Sequence, residues 1–192
     1  MIMLLSLALI PLDVEIIQAV VSLRTPLVNW FMIYYTTYGN YIFALIEGLI
    51  LIFSRKRNYR DILYLVLNSY AGWFIADRIV ESLKNIVRRP RPYVLFNSIE
   101  PLVKSDGFSF PSGHSSAAWA LALPFMMVIN SHKVKFTLVL FATLISFSRV
   151  YCGVHFLSDV IFGGCIGYVI SKSIFENVVA KQLEARDRLQ QY

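Results

Sequence analysis

Long apolar runs alternate with short polar interruptions along the chain. Five runs stand out: Thr36–Phe53, Ile62–Leu83, Ser115–Ile129, Val134–Phe147 and Phe156–Phe175. Their apolar residues are continuous rather than gathered into one-sided stripes, as lipid-solvated helices require. A further apolar stretch, Met1–Leu23, is interrupted by Asp13 and Glu15. It is either another span or a helix lying in the interface. It has no basic residues at its start, so a cleaved signal peptide is not expected. The pattern predicts an all-α, polytopic integral-membrane helix bundle. Five transmembrane helices are expected, plus a sixth at the N-terminus, in a single membrane-embedded domain over 1–192. Tyr34, Tyr35, Tyr38 and Tyr41 cluster near the start of the second element, as an interfacial aromatic belt would.

Composition agrees with this reading. Of the 192 residues, 57% are hydrophobic and only 16% charged, whereas a soluble domain carries about 25% charged residues. The net charge of +6 is read by position. Arg55, Lys56, Arg57 and Arg60 lie in one short loop, Lys133 and Lys135 in another, and Lys181, Arg186 and Arg188 in the tail. These segments share one face, which the positive-inside rule makes cytoplasmic. The opposite, extracytoplasmic face receives the loop Lys84–His114 and the turn Arg149–His155. No aromatic-interleaved basic region is present, so nucleic acid is not an expected partner. Cys152 and Cys165 lack metal-ligand spacing and read as unpaired thiols.

Chemistry concentrates at span ends on that opposite face, in KNIVRRPRP (84–92), FPSGHSS (110–116) and SRVYCGVHFLSD (148–159). Polar and charged side chains at such positions are functional candidates. Lys84, Arg91 and Arg149 supply three cations suited to phosphate oxygens. Pro111-Ser112-Gly113-His114 opens a helix whose first N–H groups form an anion site, with the Ser112 hydroxyl adding a donor. His155 and Asp159 are four residues apart, so on a helix they would share a face, and the carboxylate could fix the histidine tautomer. His114 could protonate a leaving oxygen. Taken singly, each feature has a bland reading as an interfacial residue, headgroup patch or turn; their convergence on one face does not.

Lys84, six residues, Arg91-Pro92; Pro111-Ser112-Gly113-His114; Ser148-Arg149, five residues, His155, three residues, Asp159: this pattern resembles the three-part signature of the type-2 phosphatidic acid phosphatase superfamily. That superfamily includes lipid phosphate phosphatases, undecaprenyl- and dolichyl-diphosphate phosphatases, glucose-6-phosphatase and vanadium haloperoxidases. The resemblance implies a six-helix membrane bundle and a phosphohistidine intermediate formed without a metal or other cofactor. It implies His155 as nucleophile, Asp159 as its orienting partner and His114 as general acid, then base. Lys84, Arg91, Ser112, Gly113 and Arg149 would hold phosphoryl oxygens, with Pro92, Pro111 and Ser148 in support.

The expected activity is hydrolysis of a polyprenyl diphosphate to the monophosphate. Phosphatidate or phosphatidylglycerophosphate is the alternative substrate, and a non-catalytic lipid-binding or transport protein is a remoter reading. Membrane lipids are the expected surroundings, and no protein partner is implied. Outside the signature, Arg88 and Arg89 read as surface charge, His132 as dispensable, and Glu47 and Asn68 as intramembrane polar groups, Glu47 as a structural hydrogen bond before a substrate or proton role.

Overall fold

Every regular element in the computed structural model is helical; it describes residues 10–53 and 59–182. The helices are α1 (Ile10–Ser22), α2 (Pro26–Phe53), α3 (Tyr59–Val87), the short α4 (Pro92–Leu95), α5 (Gly113–Val128), α6 (His132–Tyr151) and α7 (Leu157–Ile174). A π-helical turn, Phe175–Val179, prolongs α7. The five expected apolar runs correspond to α2, α3, α5, α6 and α7; three lie within their helices, while Ile129 falls just past α5, Phe156 just before α7 and Phe175 in the π-helical turn. Among the described residues two helices are long and apolar enough to cross a membrane, His132–Tyr151 and Leu157–Gln182. By contrast, α3 carries Asp77, Arg78, Glu81 and Lys84 near its C-terminal end. At 16 residues, α5 rises only about 24 Å.

The surface is apolar and the interior is mixed. Leu67, Phe74, Phe136, Leu140, Ile161 and Val169 are exposed, while Arg89, Arg91, Arg149, His155 and Asp159 are buried. In water this distribution would expose a large apolar patch; in lipid it is the solvated arrangement.

Close packing of α5 on α7 depends on Gly163 and Gly167, a small-xxx-small pair. A Cβ at Gly163 would overlap the Ser112 carbonyl oxygen, and one at Gly167 the Ser116 carbonyl oxygen. The missing side chains let the backbones approach, and Ser115 Oγ then donates across to the Val160 carbonyl at 2.6 Å. The far end of the bundle is sealed by Leu65, Val66, Phe125, Phe175 and Val179. At the other end Ile17, Ile99, Val150, Phe156 and Val160 pack together, which brings α1 against the junction between α6 and α7.

The N-terminal stretch falls partly outside the described residues, as do the basic loop 54–58 and the tail beyond 182. Its described part, α1, has 13 residues, and Asp13 within it is buried.

Candidate active site

Three loops converge at one end of the bundle. Ser112 caps α5, its hydroxyl accepting from the Ser115 N–H at 3.5 Å. The Ser112 N–H donates to the Asp159 carbonyl at 2.9 Å, which fixes the Pro-Ser-Gly-His turn against the start of α7. At Gly153 φ is +76°, a left-handed turn that glycine adopts without strain. It follows the last turn of α6, and the His155 N–H then donates to the Arg149 carbonyl at 3.3 Å.

His155 is buried and precedes α7 by two residues. The expectation of a shared helical face for His155 and Asp159 is therefore corrected: the histidine belongs to the loop and only the aspartate to the helix. They still meet, with His155 Nδ1 3.6 Å from Asp159 Oδ2. Among the described residues Nδ1 has no hydrogen-bond partner. Asp159 Oδ2 accepts from the Phe156 N–H at 2.8 Å and from the Ser109 hydroxyl. Nε2, by contrast, lies 3.1 Å from Arg91 Nη1. Guanidinium only donates, so Nε2 is the acceptor, and the proton of a neutral ring must sit on Nδ1, facing Asp159. Burial pushes the His155 imidazole down to about 4; Asp159 opposes this, while Arg149 and Arg91 add to it. The ring is thus held neutral, with its lone pair directed at a cation.

Arg91 is fixed by three backbone carbonyls. It donates to Val154 at 2.9 Å, Asp106 at 2.7 Å and Gly107 at 3.1 Å. Arg149 donates to Thr36 Oγ1 at 2.8 Å and Ser105 Oγ at 3.2 Å. Lys84 Nζ pairs with Glu81 Oε1 at 2.6 Å and lies 4.0 Å from where a Gly113 Cβ would be. His114 is half-buried and within electrostatic reach of Arg149, His155, Lys84 and Arg91. The structure therefore gathers Lys84, Arg91, Gly113, His114, Arg149, His155 and Asp159. Pro92 and Pro111 are buried beside them. Ser148 is set apart: its hydroxyl donates back to the Ile145 carbonyl at 2.6 Å. Among the described residues no three His, Cys, Asp or Glu side chains converge as metal ligands. Cys152 is buried and Cys165 exposed, both free; burial raises the Cys152 thiol to about 11.

Arg89 overturns its expectation as surface charge. It is buried, donating to Asp159 Oδ1 and to Asp13 Oδ2, both at 2.6 Å. An arginine beside a cationic motif carries no mark of this; the one available signal was Asp13, an acid in an apolar stretch. Glu47 and Asn68 are buried as well. Asn68 donates to Ser171 Oγ at 3.0 Å.

A groove of about 430 Å³ opens beside the cations. Lys84, Gly113 and His114 line one part, and Tyr41, Ala44, Tyr70, Trp73 and Leu121 another. It joins a polar part, where Asp77 and Glu81 stand beside Lys84, to a part walled by Tyr41, Tyr70 and Trp73, a shape that suits an amphiphile.

A helix bundle enclosing a histidine, three cations and a helix N-terminus is built to handle a phosphoryl group. Residues 59–182 match the model of the PAP2 superfamily, and the chain belongs to that superfamily as a lipid phosphatase. It is 27% identical over 166 residues to the undecaprenyl-diphosphatase BcrC of Bacillus subtilis, covering 85% of this chain and 83% of that one. It is 33% identical over 172 residues to the phosphatidylglycerophosphatase B of the same organism, covering 82% and 79%. The fold is similar to the crystal structure of Aquifex aeolicus LpxE, with a TM-score of 0.73 at 27% identity over 86% of this chain and 95% of that one.

Proposed function

We propose that this enzyme hydrolyses a polyprenyl diphosphate to the monophosphate and phosphate, by transfer of the terminal phosphoryl group to His155. The observation that carries the mechanism is the Arg91–His155–Asp159 alignment, which leaves the lone pair on Nε2 and the proton on Nδ1. The terminal phosphate enters between Arg91 and Nε2, so the guanidinium exchanges the imidazole for a phosphoryl oxygen. Nε2 attacks phosphorus, the bond to the leaving polyprenyl phosphate breaks, and His114 gives that oxygen a proton. His114 then takes a proton from water, whose oxygen attacks phosphorus. The P–N bond breaks and His155 is restored. Lys84, Arg91, Arg149, the Ser112 hydroxyl and the N–H groups about Gly113 hold the phosphoryl oxygens, and Asp159 stabilises the imidazolium character of the intermediate. Fixed cations supply the charge in this scheme, which therefore includes no metal.

In this reading α2, α3, α5, α6 and α7 all cross the bilayer, and α1 lies at or in it. The exposed apolar side chains of α2 and α3, among them Ile42, Leu45, Phe74 and Ile75, support these crossings. Arg60 at the start of α3, Lys133 and Lys135 at the start of α6, and Lys181 after α7, all at the end opposite the cradle, support an extracytoplasmic site. The groove between α2, α3 and α5 accommodates the start of the prenyl chain, and the similarity to an undecaprenyl-diphosphatase supports this substrate. Phosphatidylglycerophosphate is a second reading, favoured by the 33% identity to a phosphatidylglycerophosphatase.

The test is phosphate release by purified protein in excess EDTA, from a polyprenyl diphosphate, a polyprenyl monophosphate, phosphatidate and phosphatidylglycerophosphate. Preference for the diphosphate, insensitive to chelation and lost in His155→Ala, is expected. Faster release from a glycerophospholipid would replace the substrate but keep the mechanism. Turnover by folded His155→Ala would remove the mechanism.

A further inference from the structure

Asp13, Arg89 and Asp159 form a buried chain of ion pairs behind His155, and the first two have no part in the proposed mechanism. Asp13 on α1 accepts from Arg89 Nη2 at 2.6 Å, from the Ser158 hydroxyl at 2.6 Å and from the Ser158 N–H at 3.0 Å. Arg89 Nη1 donates to Ser158 Oγ at 2.7 Å and to Asp159 Oδ1 at 2.6 Å. Its guanidinium carbon sits 4.2 Å from the centroid of the Phe156 ring. All three charges are buried: Asp13 is 3% exposed, Arg89 5% and Asp159 0%.

We propose that Asp13 and Arg89 are positioning residues for catalysis, a buried pair that fixes the Asp159 carboxylate and through it the orientation of His155. The inference rests on the reading of His155 as nucleophile and Asp159 as its partner. Residues 59–182 carry the family match, and Asp13 lies outside them, so α1 contributes to the site from beyond the matched region.

Burying three ions is costly unless each is paired, and a pure packing role would be met as well by apolar side chains of equal volume. The geometry supplies what packing could not. Asp159 has its Oδ1 held by Arg89, while Oδ2 is left to Phe156 N–H, the Ser109 hydroxyl and the side facing Nδ1. Rotation of the carboxylate would break the Arg89 bond, so the oxygen facing His155 is fixed in place. Asp13 in turn fixes the guanidinium fork, because its two oxygens are bridged to Arg89 and Ser158. The buried Asp13 also gives a charge-neutral reason for Arg89 to sit there, rather than turning out to join the cradle.

The pair also sets charge. His155 faces Arg91 from the loop after α3, Arg149 from α6 and Asp159 from α7, and it shares the field of His114 on α5, itself coupled to Lys84 on α3. Arg89 partly neutralises Asp159, the only anion in that set. Without Arg89, Asp159 favours protonated His155 more strongly.

Neither residue touches the groove, so their loss should lower kcat and leave KM nearly unchanged. The experiment measures kcat, KM and the pH profile of phosphate release for Asp13→Asn, Arg89→Met, Arg89→Lys and the Asp13→Asn/Arg89→Met double variant, with folding checked by thermal unfolding in detergent. For Arg89→Met, kcat should fall about 100-fold, with the acid limb of kcat/KM moving up by about one pH unit. Arg89→Lys, which keeps the charge and loses the fork, should restore the limb but only part of kcat. Asp13→Asn should lower kcat about tenfold, and the double variant should be no worse than Arg89→Met alone, as expected of residues acting in one chain.

Wild-type kcat and limb in folded Arg89→Met, with only a lower unfolding temperature, would overturn the proposal. So would effects that multiply in the double variant. If Arg89→Met does not fold, the near-isosteric Asp13→Asn decides: unchanged kcat rejects the proposal, and lowered kcat at constant KM supports it. Turnover in folded His155→Ala would instead reject the underlying nucleophile, so the two failures are separable.

Discussion

Near pH 6.5, where an ordinary imidazole is half protonated, the surroundings of His155 favour its neutral form. Burial, with Arg149 and Arg91 beside it, brings it to about 4, against about 6.5 in a free histidine. A nucleophile must be unprotonated, and kcat/KM reports the free enzyme. Activity should therefore persist below pH 6 and fall as pH drops through about 4, as a pH series of initial rates in detergent would record. An acid limb at 6 or higher would contradict the burial described here. The sign for stability is the same: an unfolded chain takes up this proton near 6.5 and the folded one only near 4, so stability declines as pH falls across that window. Arg149 gives a second prediction. Its two anchors, Thr36 and Ser105, fix the guanidinium, and the proposed mechanism uses it to hold a phosphoryl oxygen. Arg149→Met should cost about 10³-fold in kcat/KM, whereas Thr36→Val removes one anchoring hydrogen bond and should cost about tenfold or less. Equal losses would mean that Arg149 serves the α2–α6 packing rather than the phosphate.

At the scale of elements, the site depends on how closely α7 approaches α5. The Ser112 cap, the Asp159 carbonyl and the Gly163 and Gly167 contacts form one seam. Gly167→Ala puts a methyl group into the Ser116 carbonyl and should destabilise the protein by roughly 1–3 kcal/mol, read as a lower unfolding temperature and reduced activity. Gly48 on α2 is the control. A Cβ there meets nothing within 4 Å, so Gly48→Ala should be neutral or stabilise by up to about 1 kcal/mol, from helix propensity alone. Much of this level is legible in sequence. The apolar runs locate α2, α3, α5, α6 and α7, because continuous apolarity records the environment of a helix directly. Spacing within the motifs marks Lys84, Arg91, His114, Arg149, His155 and Asp159, since short-range chemistry leaves short-range patterns. What sequence does not reveal is pairing over distance. Asp13 and Arg89 are 76 residues apart, and an arginine next to RPRP looks the same whether it faces lipid headgroups or a buried carboxylate. The two-residue shift that puts His155 ahead of α7 is similarly hidden, because i, i+4 spacing fits both a helix and the loop that enters it.

For the whole molecule, the described helices present apolar side chains outward, the end that holds His155 buries Arg89, Arg91, Arg149 and Asp159, and Arg60, Lys133, Lys135 and Lys181 lie at the other end. The proposed phosphate site at one end of such a bundle makes sense when the substrate is anchored in the same bilayer as the enzyme. The headgroup need move only within the plane of the membrane to enter the groove of about 430 Å³, and its tail never leaves lipid. The side of the membrane then determines which pool of lipid phosphate is used. Lys104 in the loop of the cradle and Ser131 before α6 are both exposed, and an odd number of crossings separates them if α5 spans. Single cysteines at these positions, in a chain with Cys152 and Cys165 replaced, would be probed in intact cells with a membrane-impermeant thiol reagent. Lys104→Cys should react from outside, and Ser131→Cys only after the membrane is opened. The reverse pattern would turn the cradle toward the cytoplasm and favour a phospholipid phosphate made there. Labelling of both from outside would mean that α5, at 16 residues, does not cross.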